Sequence, residues 1–195
     1  MNTKVLILGG AGYIGLAITE KLLQEGYEVT VLDNLLYDNF FALKNFLPHK
    51  NFKFEKFDFT KENLTSVKDL DSFDHAIILA GLVGDPITKK YPNYSSIVNG
   101  KNLRKVFFDF NGTNIKKLIF TSTCSNYGLI KENEKAKEEH ELNPLSLYAK
   151  EKVSAERYIE KNAKDFSFQS VILRFSTAFG CAPRMRFDLS INEFV

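Results

Sequence analysis
Apolar residues fall into short, nearly unbroken runs, separated by stretches whose apolar positions recur three and four apart. The unbroken runs predict strands at Thr3–Leu8, Glu28–Leu32, Phe52–Phe57, His75–Ala80, Lys116–Thr121 and Phe168–Arg174. The intervening periodicity predicts helices from about Gly12 to Gln24, over Asn93–Phe110 and over Leu145–Lys164. Leu64, Val67 and Leu70 have helical spacing within Lys61–Leu70, and Tyr37–Phe46 reads as a short helical or irregular piece. In the long middle helix Ile97, Leu103, Val106, Phe107 and Phe110 are expected to face inward. Residues 125–145 read as a charged loop. Strands without polar alternation are those covered on both faces. Six of them separated by helices predict a doubly wound parallel α/β sheet.

Composition narrows the partners. The chain has 195 residues, 44% hydrophobic and 26% charged, enough for one core of ordinary polarity. Its formal net charge is +2, and no run of five like charges occurs, so no nucleic-acid footprint is expected. Cys124 and Cys181 are too few for a disulfide scaffold or a four-ligand zinc site, and the three scattered histidines do not complete a metal cluster. The expectation is a reduced, cytoplasmic protein without a metal. The apolar run Val5–Ile18 is interrupted by Gly9, Gly12 and Gly15 and is too short for a bilayer, so it reads as a strand and a helix start. No membrane association is expected.

The first turn between strand and helix is Gly9-Gly10-Ala11-Gly12-Tyr13-Ile14-Gly15. Gly9 supplies a turn free of Cβ constraint, Gly12 admits a pyrophosphate onto the helix N-terminus, and Gly15 allows close packing. Asp33 follows at the end of the second strand, where a carboxylate can accept both ribose hydroxyls and repel a 2′-phosphate. The pair favours NAD over NADP. The plainer alternative is a tight turn with Asp33 capping a loop.

The wider glycine spacing, Gly9-x-x-Gly12-x-x-Gly15, resembles that of the extended short-chain dehydrogenase/reductase family, in particular its NAD-dependent nucleotide-sugar epimerases and dehydratases. Asp33-Asn34-Leu35, Asp58-Phe59, Leu79-Ala80-Gly81, Asn99, the Thr121–Gly128 segment, Tyr148-Ala149-Lys150-Glu151-Lys152 and Leu173-Arg174 to Gly180 extend the resemblance over the whole chain. It implies a Rossmann-type fold, and a cofactor site formed by Gly9, Gly12, Tyr13, Ile14, Gly15, Asp33, Asn34, Asp58, Phe59, Leu79, Ala80, Gly81, Asn99, Tyr148 and Lys152. It implies catalysis by Thr123, Tyr148 and Lys152, and contacts to a nucleotide-sugar substrate from Val83, Thr123, Asn126, Thr177 and Arg184. Members often dimerise through the helices matching Asn93–Phe110 and Leu145–Lys164, which implies a homodimer.

Tyr148 and Lys152 stand four apart and share a helix face. A tyrosine with a pKa of about 10 is a poor base until a nearby ammonium stabilises its phenolate. Tyr148 can then take a sugar hydroxyl proton while hydride leaves the same carbon. By resemblance, Lys152 also holds the nicotinamide ribose, and Thr123 hydrogen-bonds the reacting oxygen. Taken alone, the tyrosine and lysine could be an ordinary amphipathic pair.

Departures narrow the reaction. Cys124 and Ser125 stand where the 4,6-dehydratases of the family carry Asp-Glu, which argues against that elimination. Epimerases of the GDP-fucose type place their cysteine at the position of Ser125. Cys124 reads as a small packed hydrophobe. Thr177 replaces a customary asparagine, and Ile78 a customary histidine. Pro183-Arg184-Met185-Arg186 could meet a diphosphate or form a solvated basic loop. Residues 1–180 are expected to be the NAD-binding domain and 181–195 the start of a truncated substrate-binding region, because relatives are longer. The leading expectation is the N-terminal part of a nucleotide-sugar epimerase. A reductase or dehydratase, an inactive NAD-binding fragment and a non-enzymatic NAD sensor are the alternatives. Around the incomplete cleft Leu82, Val83 and Phe179 are expected to be uncovered.

Overall fold
The computed structural model describes residues 2–194. Six parallel strands form one sheet in the order β3-β2-β1-β4-β5-β6. They are β1 (Lys4–Leu8), β2 (Glu28–Asp33), β3 (Phe52–Lys56), β4 (His75–Ile78), β5 (Lys117–Thr123) and β6 (Gln169–Phe175). The order reverses at β1, whose Leu8 registers with Leu32 of β2 on one side and Ile78 of β4 on the other. A crevice opens at the carboxyl ends of strands beside such a reversal.

Apolar runs fill both faces of the sheet. Leu6 and Leu8 join one core cluster, while Val5 and Ile7 join the other. Helix α1 (Tyr13–Gln24) covers the second face with Leu16 and Leu23. The first face is covered by two long helical elements. One runs through α2 (Asp85–Lys90), α3 (Pro92–Ser95), a π-helical segment Ser96–Asn102 and α4 (Leu103–Phe110); the other is α5 (Leu147–Asn162). Phe107 of α4 packs edge-on against Phe120 of β5 at 5.3 Å between ring centres. Burial of each such side chain contributes roughly 1.5–3 kcal/mol.

Two expectations change. The spacing of Leu64, Val67 and Leu70 produces no α-helix but two 3-10 turns, Leu64–Ser66 and Leu70–Ser72. Val67 is extended and Asp69 has a φ of 57°, which breaks the helix while all three apolar side chains stay buried. Ile97 faces out at 47% exposure, because the π-helical segment shifts the phase of the helix and turns Val98 and Asn99 inward instead. Leu103, Val106, Phe107 and Phe110 are buried as the periodicity requires.

The last stretch folds back over the carboxyl ends of the strands and closes with a single turn, α6 (Ser190–Glu193). Tyr13 anchors it, its hydroxyl donating to Gly180 O at 2.5 Å and accepting from Asn192 Nδ2 at 3.1 Å.

Candidate functional site
A cleft of about 670 Å³ lies over the sheet reversal. Its floor is the glycine turn, stitched to neighbouring strands by Gly9 N–H to Leu32 O at 2.7 Å and Ala80 N–H to Leu8 O at 2.9 Å. Gly9 has a φ of +83°, and a Cβ there would stand 2.5 Å from Ala80 N, so no side chain fits. A Cβ on Gly15 would meet Gly10 O at 2.5 Å. Helix α1 starts at Gly12 with no side-chain cap and no acid in its first turn. Tyr13, Ile14 and Gly15 line the cleft, and their amides donate to no protein group among the described residues. That is an anion cradle without a built-in anion.

Asp33 closes the β2 end of the floor. Its Oδ2 accepts from Ala11 N–H at 3.0 Å and its Oδ1 from Leu35 N–H at 2.8 Å. Burial raises its pKa, opposed by those two hydrogen bonds and by the charge of Arg184. Each oxygen keeps a lone pair for a hydroxyl donor. Asn34 and Tyr37 continue the lining beside it.

The opposite wall comes from β5 and α5. Ser146 caps α5, its hydroxyl accepting from Ala149 N–H at 3.2 Å, and this sets Tyr148 and Lys152 on the cleft side. Lys152 is 2% exposed. Its Nζ donates to Thr121 O at 2.7 Å and lies 4.6 Å from the centre of the Phe120 ring and 6.0 Å from that of Tyr148. Burial pushes the lysine down to about 8, against an upward pull from Glu156. Thr123 ends β5, and its Oγ1 accepts from Ser125 N–H at 3.2 Å, which leaves the hydroxyl proton for another acceptor. A proton acceptor, a buried ammonium and a hydroxyl donor on one wall can move a proton on and off a substrate hydroxyl.

Most of the residues singled out in the sequence meet in this cleft. Phe59, Leu79, Ala80, Gly81, Val83, Thr177 and Arg184 line it with those already described. Val83 and Phe179 are exposed as expected, whereas Leu82 is buried at 3% and Cys124, expected to be packed, is exposed in the cleft lining. Three residues lie outside the lining. Asp58 holds its own turn, accepting from Thr60 N–H at 3.0 Å and Thr60 Oγ1 at 2.7 Å. Asn99 is buried behind the wall and clamps Leu82, accepting from its N–H at 2.9 Å and donating to its carbonyl at 3.0 Å. Asn126 is fully buried and donates to Ser122 Oγ at 3.0 Å and Glu156 Oε1 at 2.7 Å.

The match to known proteins decides the family. Residues 5–193 match the model of the NAD dependent epimerase/dehydratase family. The chain belongs to that family. It is 30% identical over 201 residues to an uncharacterized UDP-glucose epimerase, YtcB, of Bacillus subtilis, with 98% of this chain and 61% of the relative covered. Among solved structures it resembles the UDP-glucuronic acid 4-epimerase of Bacillus cereus in complex with NAD. There the TM-score is 0.84 and the identity 26%, over 96% of this chain and 60% of that one. It also resembles the UDP-N-acetylglucosamine 4-epimerase of Methanobrevibacter ruminantium in complex with UDP-N-acetylmuramic acid. That match has a TM-score of 0.76 and 30% identity over 92% and 56% of the two chains. The chain thus spans about 60% of the length of these relatives.

This epimerase/dehydratase chain also contains groups that sequence reasoning did not single out. Glu156 of α5 is fully buried and receives Arg174 of β6 through Nε at 3.1 Å and Nη2 at 2.8 Å. The same guanidinium donates to Tyr127 OH and Glu138 O, both at 3.1 Å, so it ties β6 to the loop that leads into α5. Ser95 Oγ donates to Glu151 Oε2 at 3.0 Å and accepts from Asn99, which joins α5 to the Leu82 clamp. Their only trace in the sequence was the inward phase of α5. Among the described residues, no helix is long and apolar enough to cross a membrane and no group of metal-ligating side chains occurs.

Proposed function
We propose that this chain is the cofactor-binding and proton-transferring part of an NAD-dependent nucleotide-sugar epimerase acting on a UDP-sugar. One observation carries the reading. Thr123, Tyr148 and Lys152 occupy one wall of a cleft whose floor is an uncapped helix N-terminus beside a ribose-type carboxylate, Asp33. The cradle suits a dinucleotide: the amides of Tyr13, Ile14 and Gly15 take the pyrophosphate, and Asp33 takes the adenosine ribose. When bound, NAD supplies a hydride acceptor that returns the same hydride. Tyr148 removes and restores the proton of the sugar hydroxyl. The Lys152 ammonium favours the phenolate form of Tyr148 and holds the nicotinamide ribose. Thr123 donates to the reacting oxygen. The UDP-sugar class is supported by the two solved relatives, both 4-epimerases. Cys124 and Ser125 supply no carboxylic acid beside Thr123, which favours epimerisation over elimination of water. The reading includes a homodimer, for which Ile97 and Phe108 offer exposed apolar surface on the first long helical element and Leu145 just ahead of α5. It also includes a cytoplasmic location, which two unpaired cysteines suit.

The test is to incubate the chain with NAD⁺ and UDP-glucose or UDP-glucuronic acid and follow the sugar by proton NMR. Appearance of the 4-epimer, lost in Tyr148→Phe, supports the reading. Bound NAD⁺ with an unchanged sugar contradicts the turnover half of the reading and leaves the dinucleotide site standing.

A further inference from the structure
The two arginines of the folded-back segment differ in their partners. Arg186 is spent on Asp188, with Nη2 2.5 Å from Oδ2. Arg184 forms no ion pair among the described residues. Its guanidinium lies 4.7 Å from the centre of the Tyr37 ring, and its charge reaches Asp33. The ring contact is with the β2 side of the cleft, where Asp33 is bonded to Ala11 of the glycine turn, and the charge of Arg184 acts on Asp188 of its own segment as well. The family resemblance implies a substrate contact for Arg184; its ring neighbour Tyr37 lines the cleft together with Asp33 and Asn34. The segment that carries it is anchored on the same turn, through Tyr13 OH to Gly180 O at 2.5 Å and Asn192 Nδ2 to Arg186 O at 3.1 Å. A guanidinium with no ion-pair partner among the described residues, set over an aromatic ring in the cleft whose floor is an uncapped helix N-terminus, can take a phosphate oxygen.

We infer that Arg184 is a cofactor residue, which binds the dinucleotide's pyrophosphate from above while the α1 amides bind it from below. The inference rests on the proposed dinucleotide site. It gives the Pro183–Arg186 stretch a role distinct from substrate recognition: the folded-back segment is the roof of the cofactor pocket. Tyr37 acts as a positioning residue, since its ring holds the guanidinium on the β2 side of the cleft.

The test is calorimetric titration of NAD⁺, ADP, 2′-AMP and adenosine into the unmodified chain, Arg184→Gln and Tyr37→Leu. A lost charge-assisted hydrogen bond weakens binding roughly tenfold or more. The expected result is that loss for NAD⁺ and ADP in Arg184→Gln, with adenosine unchanged. Tyr37→Leu should show a smaller loss, and the double variant less than the product of the two. Unaltered NAD⁺ and ADP affinity in Arg184→Gln overturns the inference and leaves the dinucleotide site standing. A loss confined to 2′-AMP overturns it too, because the contact would then be to a 2′-phosphate. Failure of the unmodified chain to bind any of the four overturns both.

Discussion

The Nζ of Lys152 sits 2.7 Å from the carbonyl oxygen of Thr121, at the last turn of β5 before Thr123. One bond thus ties the buried cation of α5 to the strand that carries the hydroxyl donor. The ammonium is compensated by a backbone dipole and the Phe120 ring face, with no carboxylate in an ion pair with it among the described residues. A cation held this way remains free to stabilise a phenolate on the same helix face.

Lys152 should leave a signature in stability. Its pKa falls from 10.5 to about 8 on folding, so the unfolded chain binds the extra proton between those values. Stability from this group therefore rises with pH across that window, and the full burial penalty applies below it. The difference in urea-unfolding free energy between the unmodified chain and Lys152→Met should climb from pH 8 towards 10.5 and be flat below 8. A difference independent of pH contradicts the buried ammonium.

Removing the phenolic oxygen separates chemistry from binding. Tyr148→Phe should lower turnover of the sugar by about 10²–10⁴-fold, the usual range for a general acid–base group. Affinity for NAD⁺ should change far less, by the few-fold that one hydrogen bond of about 1 kcal/mol is worth. Rate assays alongside calorimetry check both halves.

The Arg174–Glu156 pair should behave as a buried ion pair. Glu156→Ala leaves the guanidinium with Tyr127 OH and Glu138 O and the Asn126 amide with Ser122 Oγ, at a cost of roughly 1–3 kcal/mol for the lost charge-assisted bonds. Replacing both charges together, Glu156→Leu with Arg174→Met, should recover a large part of that. Chemical denaturation of the two variants gives the comparison.

Tyr13 should govern the folded-back segment. Tyr13→Phe removes a hydroxyl that donates to Gly180 O and accepts from Asn192. The global loss should be about 1 kcal/mol, the net worth of such a bond. Hydrogen exchange should accelerate across residues 180–192 far more than in β1 or α1. Uniform acceleration contradicts a local anchor.

Much of this fold was legible because its strands are buried on both faces. The run Val5–Leu8 needs no partner to be read as a covered strand, and Gly9–Gly15 follows it at the spacing a phosphate turn demands. What sequence concealed was tertiary. The π-helical phase shift at Ser96–Asn102 exposes Ile97 and buries Asn99, and no local pattern signals it. Val67 and Asp69 break a helix that the spacing of Leu64, Val67 and Leu70 suggests. Asn126 occupies a motif position yet serves Glu156, thirty residues away, instead of the cleft. Tyr13 meets Asn192 across a separation of 179 residues, beyond the reach of any periodicity.

The central claim is a dinucleotide site selective for the unphosphorylated ribose. Titration of NAD⁺ and NADP⁺ into the unmodified chain, with Asp33→Ala beside it, tests it most directly. One NAD⁺ site is expected, tighter than that for NADP⁺, with the preference diminished in Asp33→Ala. Tighter binding of NADP⁺ by the unmodified chain, or binding of neither, would contradict it.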